Sequence, residues 1–380
     1  MRTLILITLL STTKLLAQEA DSSMVSFGAY ADGYYSWYSN GDQTIYQESD
    51  VIGAFHNNFG LNVAQFTGSY EGDRARGVAT IHAGDIPAIA WGNDYRFIQE
   101  ANAGVRIAQG LWLDVGFFKI HVGTESFLPR DNMLSIVTLG TFYGPFYQGG
   151  ARLSYDTKSD WHFELHAING YNLHIDNNEY KSYGSLIAKQ WTDNIYTSYS
   201  NLVGQERIGG TTDDSYLVYQ NIYANLEGER WSLQAGLDVA SSFDWRVMND
   251  WEQDLLIAAL VTAQYRWDEH WATTLRFELF SDESQINSFQ THYLDAGNMV
   301  VPVQDGMTVF GPTAGIAYTP VSGSFLRLES RYLMDPDFPS AQHASDFSPD
   351  PALGNPMLEN RLQFLLTAGF YFDKTFKFAR

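Results

Sequence analysis

His162 and His166 stand four residues apart, a spacing that on a helix would set two imidazoles on one face for zinc. Here they alternate with Trp161, Phe163, Leu165 and Ala167, which is the period of a strand. On a strand the same step separates them by ~13 Å at ~3.3 Å per residue, too far to share one ion. A hydrolase needs a nucleophile, a base and an orienting group. The chain has no G-x-S-x-G turn and no histidine beside a serine–aspartate set. Asp335, Asp337, Asp346 and Asp350 gather carboxylates of the kind that hold calcium, but without EF-hand or repeat spacing. No catalytic set, no metal site and no cofactor is expected.

The remaining chemistry lies in charges placed on alternate positions. Arg106, Arg152, Arg266, Arg276, Arg327 and Arg331 fall on the polar faces of alternating segments, and Glu164, Glu278 and Glu329 share those faces. If such segments cross a membrane, a charge toward lipid costs ~2–4 kcal/mol at mid-depth. These side chains therefore face a lumen. There they either pair with Glu100, Asp114, Glu164, Glu278 and Glu329 or line a conduction path. Parity sends Val261 and Leu165 to lipid, and Thr262, His162 and His166 to a wet interior.

The elements that position them are strands. From Val25 onward the dominant period is two, in segments of about 10 to 13 residues, close to the ~9–11 that cross a bilayer at a tilt. Short polar turns lie near 71–74, 108–110, 157–160, 192–193, 228–229, 268–270 and 320–323. Longer loops fall near 39–57, 85–95, 121–144, 172–181, 204–215, 242–254, 282–307 and 334–359. Seven short and eight long connections alternate strictly, which joins sixteen strands, with fourteen as the alternative count. The fold class expected is all-β: a closed antiparallel transmembrane barrel with short periplasmic turns and long acidic extracellular loops. The long loops carry 25 acids against four bases (Arg130, Lys181, Arg207, Arg246), so nearly all the excess charge of the chain sits on one side. Aromatic residues such as Tyr155, Trp161, Trp267 and Trp271 flank the short turns, as interfacial girdles do.

Composition agrees. A formal net charge of −21 argues against nucleic acid as a partner, and the absence of cysteine removes disulfides and thiolate metal sites. At the amino-terminus, Arg2 precedes the apolar run Leu4–Leu10, and Leu15-Leu16-Ala17 forms a small-residue cleavage site. Residues 1–17 are expected to be a signal peptide, 18–24 a short periplasmic segment and 25–380 the barrel.

Between about Phe27 and Gln190 the chain resembles the β-barrel porin family of OmpL-like outer-membrane proteins. The resemblance rests on GAYADGYYSWY (28–38), HNNFGLNVAQF (56–66), FIQEANAGVRI (97–107) and LDVGFFKIHVGTES (113–126). GPFYQGGARLSY (144–155), AINGYN (167–172) and DNNEYK (176–181) follow in family order. Tyr171 stands where a tryptophan is common, and the chain ends in Arg380, so Phe372 or Phe378 takes the assembly-signal role. The resemblance implies an outer-membrane location among lipid and lipopolysaccharide, insertion by the barrel-assembly machinery, and a porin-like activity.

Two further expectations follow from the residues. The loop at 121–144 carries Phe127, Leu128, Met133, Leu134, Ile136, Val137 and Leu139, too apolar a set to stand in water. It is expected to fold inward as a constriction, bringing Glu125 and Asp131 opposite lumen arginines. The leading function is a passive diffusion channel for small hydrophilic solutes, in a chain able to form homo-oligomers. Its rivals are a structural or adhesive barrel with a plugged lumen, and a secreted soluble all-β carbohydrate binder suggested by the abundant Trp and Tyr.

Overall fold

The computed structural model describes residues 22–39, 46–47, 50–206, 215–244, 254–284, 286–287, 292–294, 300–302, 307–334 and 360–379. The segment expected to be a signal peptide, and Asp335, Asp337, Asp346 and Asp350, lie outside these residues. Eighteen strands appear in chain order: β1 (Ser22–Tyr38), β2 (Asn58–Glu71), β3 (Ala75–Ala83), β4 (Ile98–Ala108), β5 (Leu111–Lys119), β6 (Tyr147–Asp156), β7 (Trp161–Ile168), β8 (Ser182–Thr192) and β9 (Ile195–Gln205). There follow β10 (Ser215–Glu227), β11 (Trp231–Asp244), β12 (Asp254–Arg266), β13 (Trp271–Asp282), β14 (His292–Leu294), β15 (Val300–Pro302), β16 (Met307–Tyr318), β17 (Ser324–Leu333) and β18 (Arg361–Ala379).

Sixteen of them close into one antiparallel barrel, sealed where β1 pairs with β18 from Ser22↔Ala379 to Tyr38↔Gln363. The two short strands β14 and β15 form a separate hairpin within the loop between β13 and β16. Closure removes every sheet edge, which a bilayer demands because lipid offers no partner to backbone N–H and C=O groups. The seven short turns and eight long loops fall where the sequence pattern places them. β1 opens at Ser22, three residues earlier than expected.

Side-chain parity follows the pleat. On β12, Val261 is 57% exposed on the outer surface, while its neighbours Leu260 and Thr262 are buried inside. Leu165, Leu275 and Leu328 face outward in the same way. Trp191, Trp231, Trp267 and Trp271 stand exposed beside the short turns, forming the girdle on that rim. Among the described residues no helix is long and apolar enough to cross a membrane; the crossing is made by strands.

The interior is packed rather than hollow at the level of the third long loop, residues 120–146, called L3 below. One apolar cluster joins Tyr30, Tyr34, Val51, Ile52, Trp91, Phe127, Leu128 and Ile136. A second joins Val122, Leu139 and Tyr143 to Leu202, Tyr219, Leu256 and Phe280. L3 lies between them.

Candidate functional site: an inward loop clamped across the lumen

L3 leaves β5 and crosses the barrel. Its successive residues touch strands progressively farther round the wall. His121 bonds the Asn201 carbonyl on β9 at 2.8 Å, and Thr124 accepts from Asn221 on β10 at 3.0 Å. Glu125 meets Arg276 on β13 at 2.8 Å, and Arg327 on β17 donates to the Pro129 and Asn132 carbonyls at 2.8 and 2.9 Å. Ser135 reaches Thr367 on β18 at 2.8 Å. β13 lies eight strands from β5 in either direction round the ring. No path over the outside joins these contacts; the loop runs through the lumen.

Inward-facing glycines make room for it. A Cβ added at Gly184 would collide with the His121 ring, one at Gly236 with Thr124, and one at Gly315 with Leu134. These three positions are sockets in the wall.

Charged wall residues clamp the loop backbone. Glu329 accepts the N–H groups of Ser135 and Ile136 at 2.6 and 2.9 Å, and Glu278 accepts that of Leu139 at 2.9 Å. Glu125 turns back within the loop to accept Thr138 N–H at 2.8 Å. A buried carboxylate is tolerated when hydrogen bonds and a partner charge replace its water. Glu278 has both, since Arg331 grips it with two bonds of 2.8 Å and Arg276 lies at 3.6 Å. Arg331 also holds Asp50 of the first long loop at 3.0 Å, and Arg361 holds the same carboxylate at 2.6 Å. Both loops are thus tied to one charged strip on β13, β17 and β18.

A second polar group lies on β3, β5, β6 and β7. Arg76 bonds Asp114 through two nitrogens, and Arg152 lies at 3.3 Å from Asp114 and 3.4 Å from Glu164. Glu164 joins His162 and His166 at 3.1 and 2.9 Å, so one carboxylate links the two imidazoles. His166 stacks on His121 with ring centroids 3.9 Å apart. Burial, and then the neighbouring His166, hold the His121 pKa down at about 4. Burial pushes the carboxyls of Asp131 and Asp50 above the usual range.

Several expectations need correction. Arg106 and Arg266 keep inward parity but sit at the short-turn rim, where Arg106 pairs with Asp73 and Arg266 bonds the Gly228 carbonyl and Ser232. Asp131 does not face a wall arginine; it is buried and pairs with its neighbours Arg130 and Ser126. Thr262 and His166 are 3% and 4% exposed, so neither borders a wet lumen. Glu100 accepts from Asn102 rather than from an arginine. For His166, stacked on His121, the packed loop has taken the place assumed for water.

Burial of inward side chains runs round the whole ring. Each strand of the ring presents an inward residue that is buried: among them Asp32, Asn62, Thr80, Gln99, Phe118, Gln148 and His166 on β1 to β7. Ser182, Ser200, Asn221, Asp238 and Leu260 continue it on β8 to β12, and Glu278, Thr313, Glu329 and Thr367 complete it on β13, β16, β17 and β18. A space of about 30 Å³ beside L3 is lined by Thr124, Glu125, Thr141, Tyr219 and Asp238. That holds about one water. Sequence reasoning missed Arg76, His121, Asp50 and Arg361. Arg76 was legible, since it shares the strand parity of Val78, Thr80 and His82; the others belong to loops or strand ends where period two gives no direction.

A sixteen-stranded closed barrel with a lipid-facing apolar belt and an inward loop defines a porin-type outer-membrane protein. The chain belongs to the family described as "Putative beta-barrel porin-2, OmpL-like", whose model matches residues 24–372, well beyond the stretch whose motifs suggested it. It is an outer-membrane porin, and its family and fold are those of a channel. Among solved structures it is similar to OmpT of Vibrio cholerae, at 10% identity and a TM-score of 0.58, covering 94% of this chain and 99% of that one. It is also similar to an anion-selective porin from Comamonas acidovorans (9%, TM-score 0.58, 92% and 100% covered). The outer-membrane channel DcaP of Acinetobacter baumannii gives 12% identity and a TM-score of 0.55, with 94% and 99% covered. At these identities the likeness is one of fold. Sequence comparison with curated proteins gives no match.

Proposed function

We propose that this porin passes small hydrophilic solutes by passive diffusion and that L3 is the element through which they are admitted or refused. The observation that carries the reading is the crossing itself: Glu125 from the loop after β5 is bonded to Arg276 on the opposite wall. A strap fixed at both walls sets the width of the path. Arg276, Glu278, Arg327, Glu329 and Arg331 hold the strap, while Arg152 and Glu164, with Arg76, line the lumen on the short-turn side of it. Arg106 and Arg266 line the periplasmic mouth. Charged groups in a narrow low-dielectric space act more strongly than in open water, so selection by charge belongs to these residues.

Deletion of residues 127–139 with both flanking strands retained tests the reading. Single-channel conductance in planar bilayers should rise and ion selectivity should weaken. Unchanged conductance and reversal potential in a folded deletion variant would remove L3 from the path. The buried inward residues on every strand also favour a second reading, a plugged barrel acting through its loops. That reading requires the wild-type chain to show no channel events at all. A homo-oligomer in the outer membrane, assembled by the barrel-assembly machinery among lipid and lipopolysaccharide, completes the proposal. Its support is that one of the similar solved structures is a trimer form of OmpT.

A further inference from the structure

One buried carboxylate of the wall has an oxygen to spare. Asp238, inward on β11 and 6% exposed, accepts the Tyr219 hydroxyl and the Asn221 amide on a single oxygen, Oδ1, both at 2.9 Å. Among the described residues its Oδ2 has no hydrogen-bond partner. No arginine, lysine or histidine among them pairs with Asp238, and the charged group that bears on it from L3 is another carboxylate, Glu125. Other wall acids are provided for. Asp114, Glu164 and Glu278 each lie beside an arginine. Asp32 and Glu329 have both oxygens bonded, the first to Tyr30 and Asn62, the second to the Ser135 and Ile136 N–H groups.

Asp238 borders the space of about 30 Å³ beside L3, room for about one water-sized particle. Apart from Tyr219 and Asp238, the lining of that space is L3 itself, including Gly123, Thr124, Glu125 and Thr141. A Cβ added at Gly123 would meet nothing within 4 Å, so the loop leaves room there. Glu125 is already committed: Oε1 accepts from Arg276, and Oε2 accepts from Thr138 and Thr141. Next to Asp238, the Asn221 side chain is 1% exposed and its Oδ1 has no partner either. The place is thus rich in hard oxygens, with one negative charge left uncompensated. An ionised carboxylate buried without a counter-charge is costly, which is why buried charges pair or bind a metal ion. Oxygen donors select hard cations. A single spare charge and room for one water favour a monovalent ion over calcium, which takes about six to eight oxygen ligands.

We propose that a monovalent cation of sodium's size binds between Asp238 and L3 and fastens the docked loop to β11. Asp238 Oδ2 supplies the charge, and Thr124 and Thr141 are neutral oxygen donors lining the same space. Most of that lining belongs to the loop, so the site exists only while L3 is docked. A ligand that binds one of two states stabilises that state by mass action. At about ten times the half-saturating concentration, the docked loop gains about tenfold in population over the released one. The inference concerns the fastening of L3 and does not depend on which solutes pass, so its test reads docking and leaves conduction aside.

Limited proteolysis of the purified full-length barrel tests the site. Chymotryptic cleavage within residues 125–139 tracks the released fraction of L3 when the loop recloses faster than it is cut. At one pH and one ionic strength, sodium chloride is compared with the chloride of N-methyl-D-glucammonium, a cation far too large for the space. Sodium at about ten times its half-saturating concentration should slow cleavage about tenfold, and the effect should saturate. Asp238→Asn keeps the shape and removes the charge, so it should cleave equally in the two salts. Heat-modifiable migration on gels establishes that the variant is folded, and the wild-type comparison stands without it. Equal cleavage of the wild-type chain in both salts overturns the proposal. So does a sodium effect that never saturates, or one that survives in folded Asp238→Asn.

Discussion

Arg276 and Glu125 meet at 2.8 Å in the interior, one on β13 and the other in the loop that leaves β5, diametrically across the barrel. Arg276 also donates to the Ile136 carbonyl at 2.6 Å, so a single guanidinium holds the strap at two points eleven residues apart. Glu125 returns the contact by binding Thr138 and Thr141 from its other oxygen. The pair therefore fixes both the position of L3 and its internal shape.

Arg276→Met leaves the buried Glu125 carboxylate without its cation. Breaking a buried pair in this way costs ~3–5 kcal/mol. The expected outcome is a larger open fraction in bilayer recordings and faster proteolysis within residues 125–139, with the barrel itself still folded. The Glu125→Gln, Arg276→Met double variant should be less perturbed than the sum of the two changes. Additive effects would show that the two residues act independently.

Acid should loosen the docked strap through His121. Its docked pKa is about 4, below the 6.5 of a free imidazole, because burial and then His166 disfavour the cation. The released loop takes up a proton below pH ~6.5 that the docked loop refuses until about 4, so docking weakens as pH falls through that window. From pH 7 to pH 5 the change is about 2 kcal/mol. Asp131 works in the opposite sense, since burial raises its carboxyl pKa and protonation favours the docked form. His121→Gln should therefore abolish or invert the acid response. An open fraction that is identical at pH 7 and pH 5 in the wild-type chain would contradict the assignment.

On the outer surface, Val261→Arg sets a charge against lipid near the middle of β12. The expected loss is ~2–4 kcal/mol of barrel stability, read as a lower folded fraction in vesicle refolding. Gln234→Arg, on an inward and half-buried position of β11, should fold far better. Equal loss would mean that the inside and outside of this sheet are misassigned.

Orientation is tested by labelling. Asp94→Cys, exposed in the long loop after β3, should react with an impermeant maleimide on intact cells. Asp268→Cys, in the short turn between β12 and β13, should react only after lysis. The reverse pattern would place the short turns outside.

Much of the architecture was legible in the sequence because a membrane barrel obeys a local rule. Each strand must alternate between lipid and lumen, so period two survives in β12 and β13 residue by residue, and it assigns Val261 and Arg276 to opposite faces without any tertiary information. Turn length alternates because one rim is short, which gives the strand count. The apolar run from Phe127 to Leu139 also told that L3 cannot stand in water. What the sequence could not supply is where L3 docks. The contacts Glu125–Arg276, Glu329–Ser135 and Arg331–Asp50 join residues 151, 194 and 281 positions apart, and no periodic pattern encodes a distance across a closed ring. The same ignorance produced the wet lumen expected beside Thr262 and His166: parity says inward, but only the packed loop decides whether inward means water or protein. The inward glycines at 184, 236 and 315 show how the decision was made. A missing side chain on the wall is silent in a hydropathy pattern, and it becomes a socket only when closure of the barrel brings His121, Thr124 and Leu134 against it.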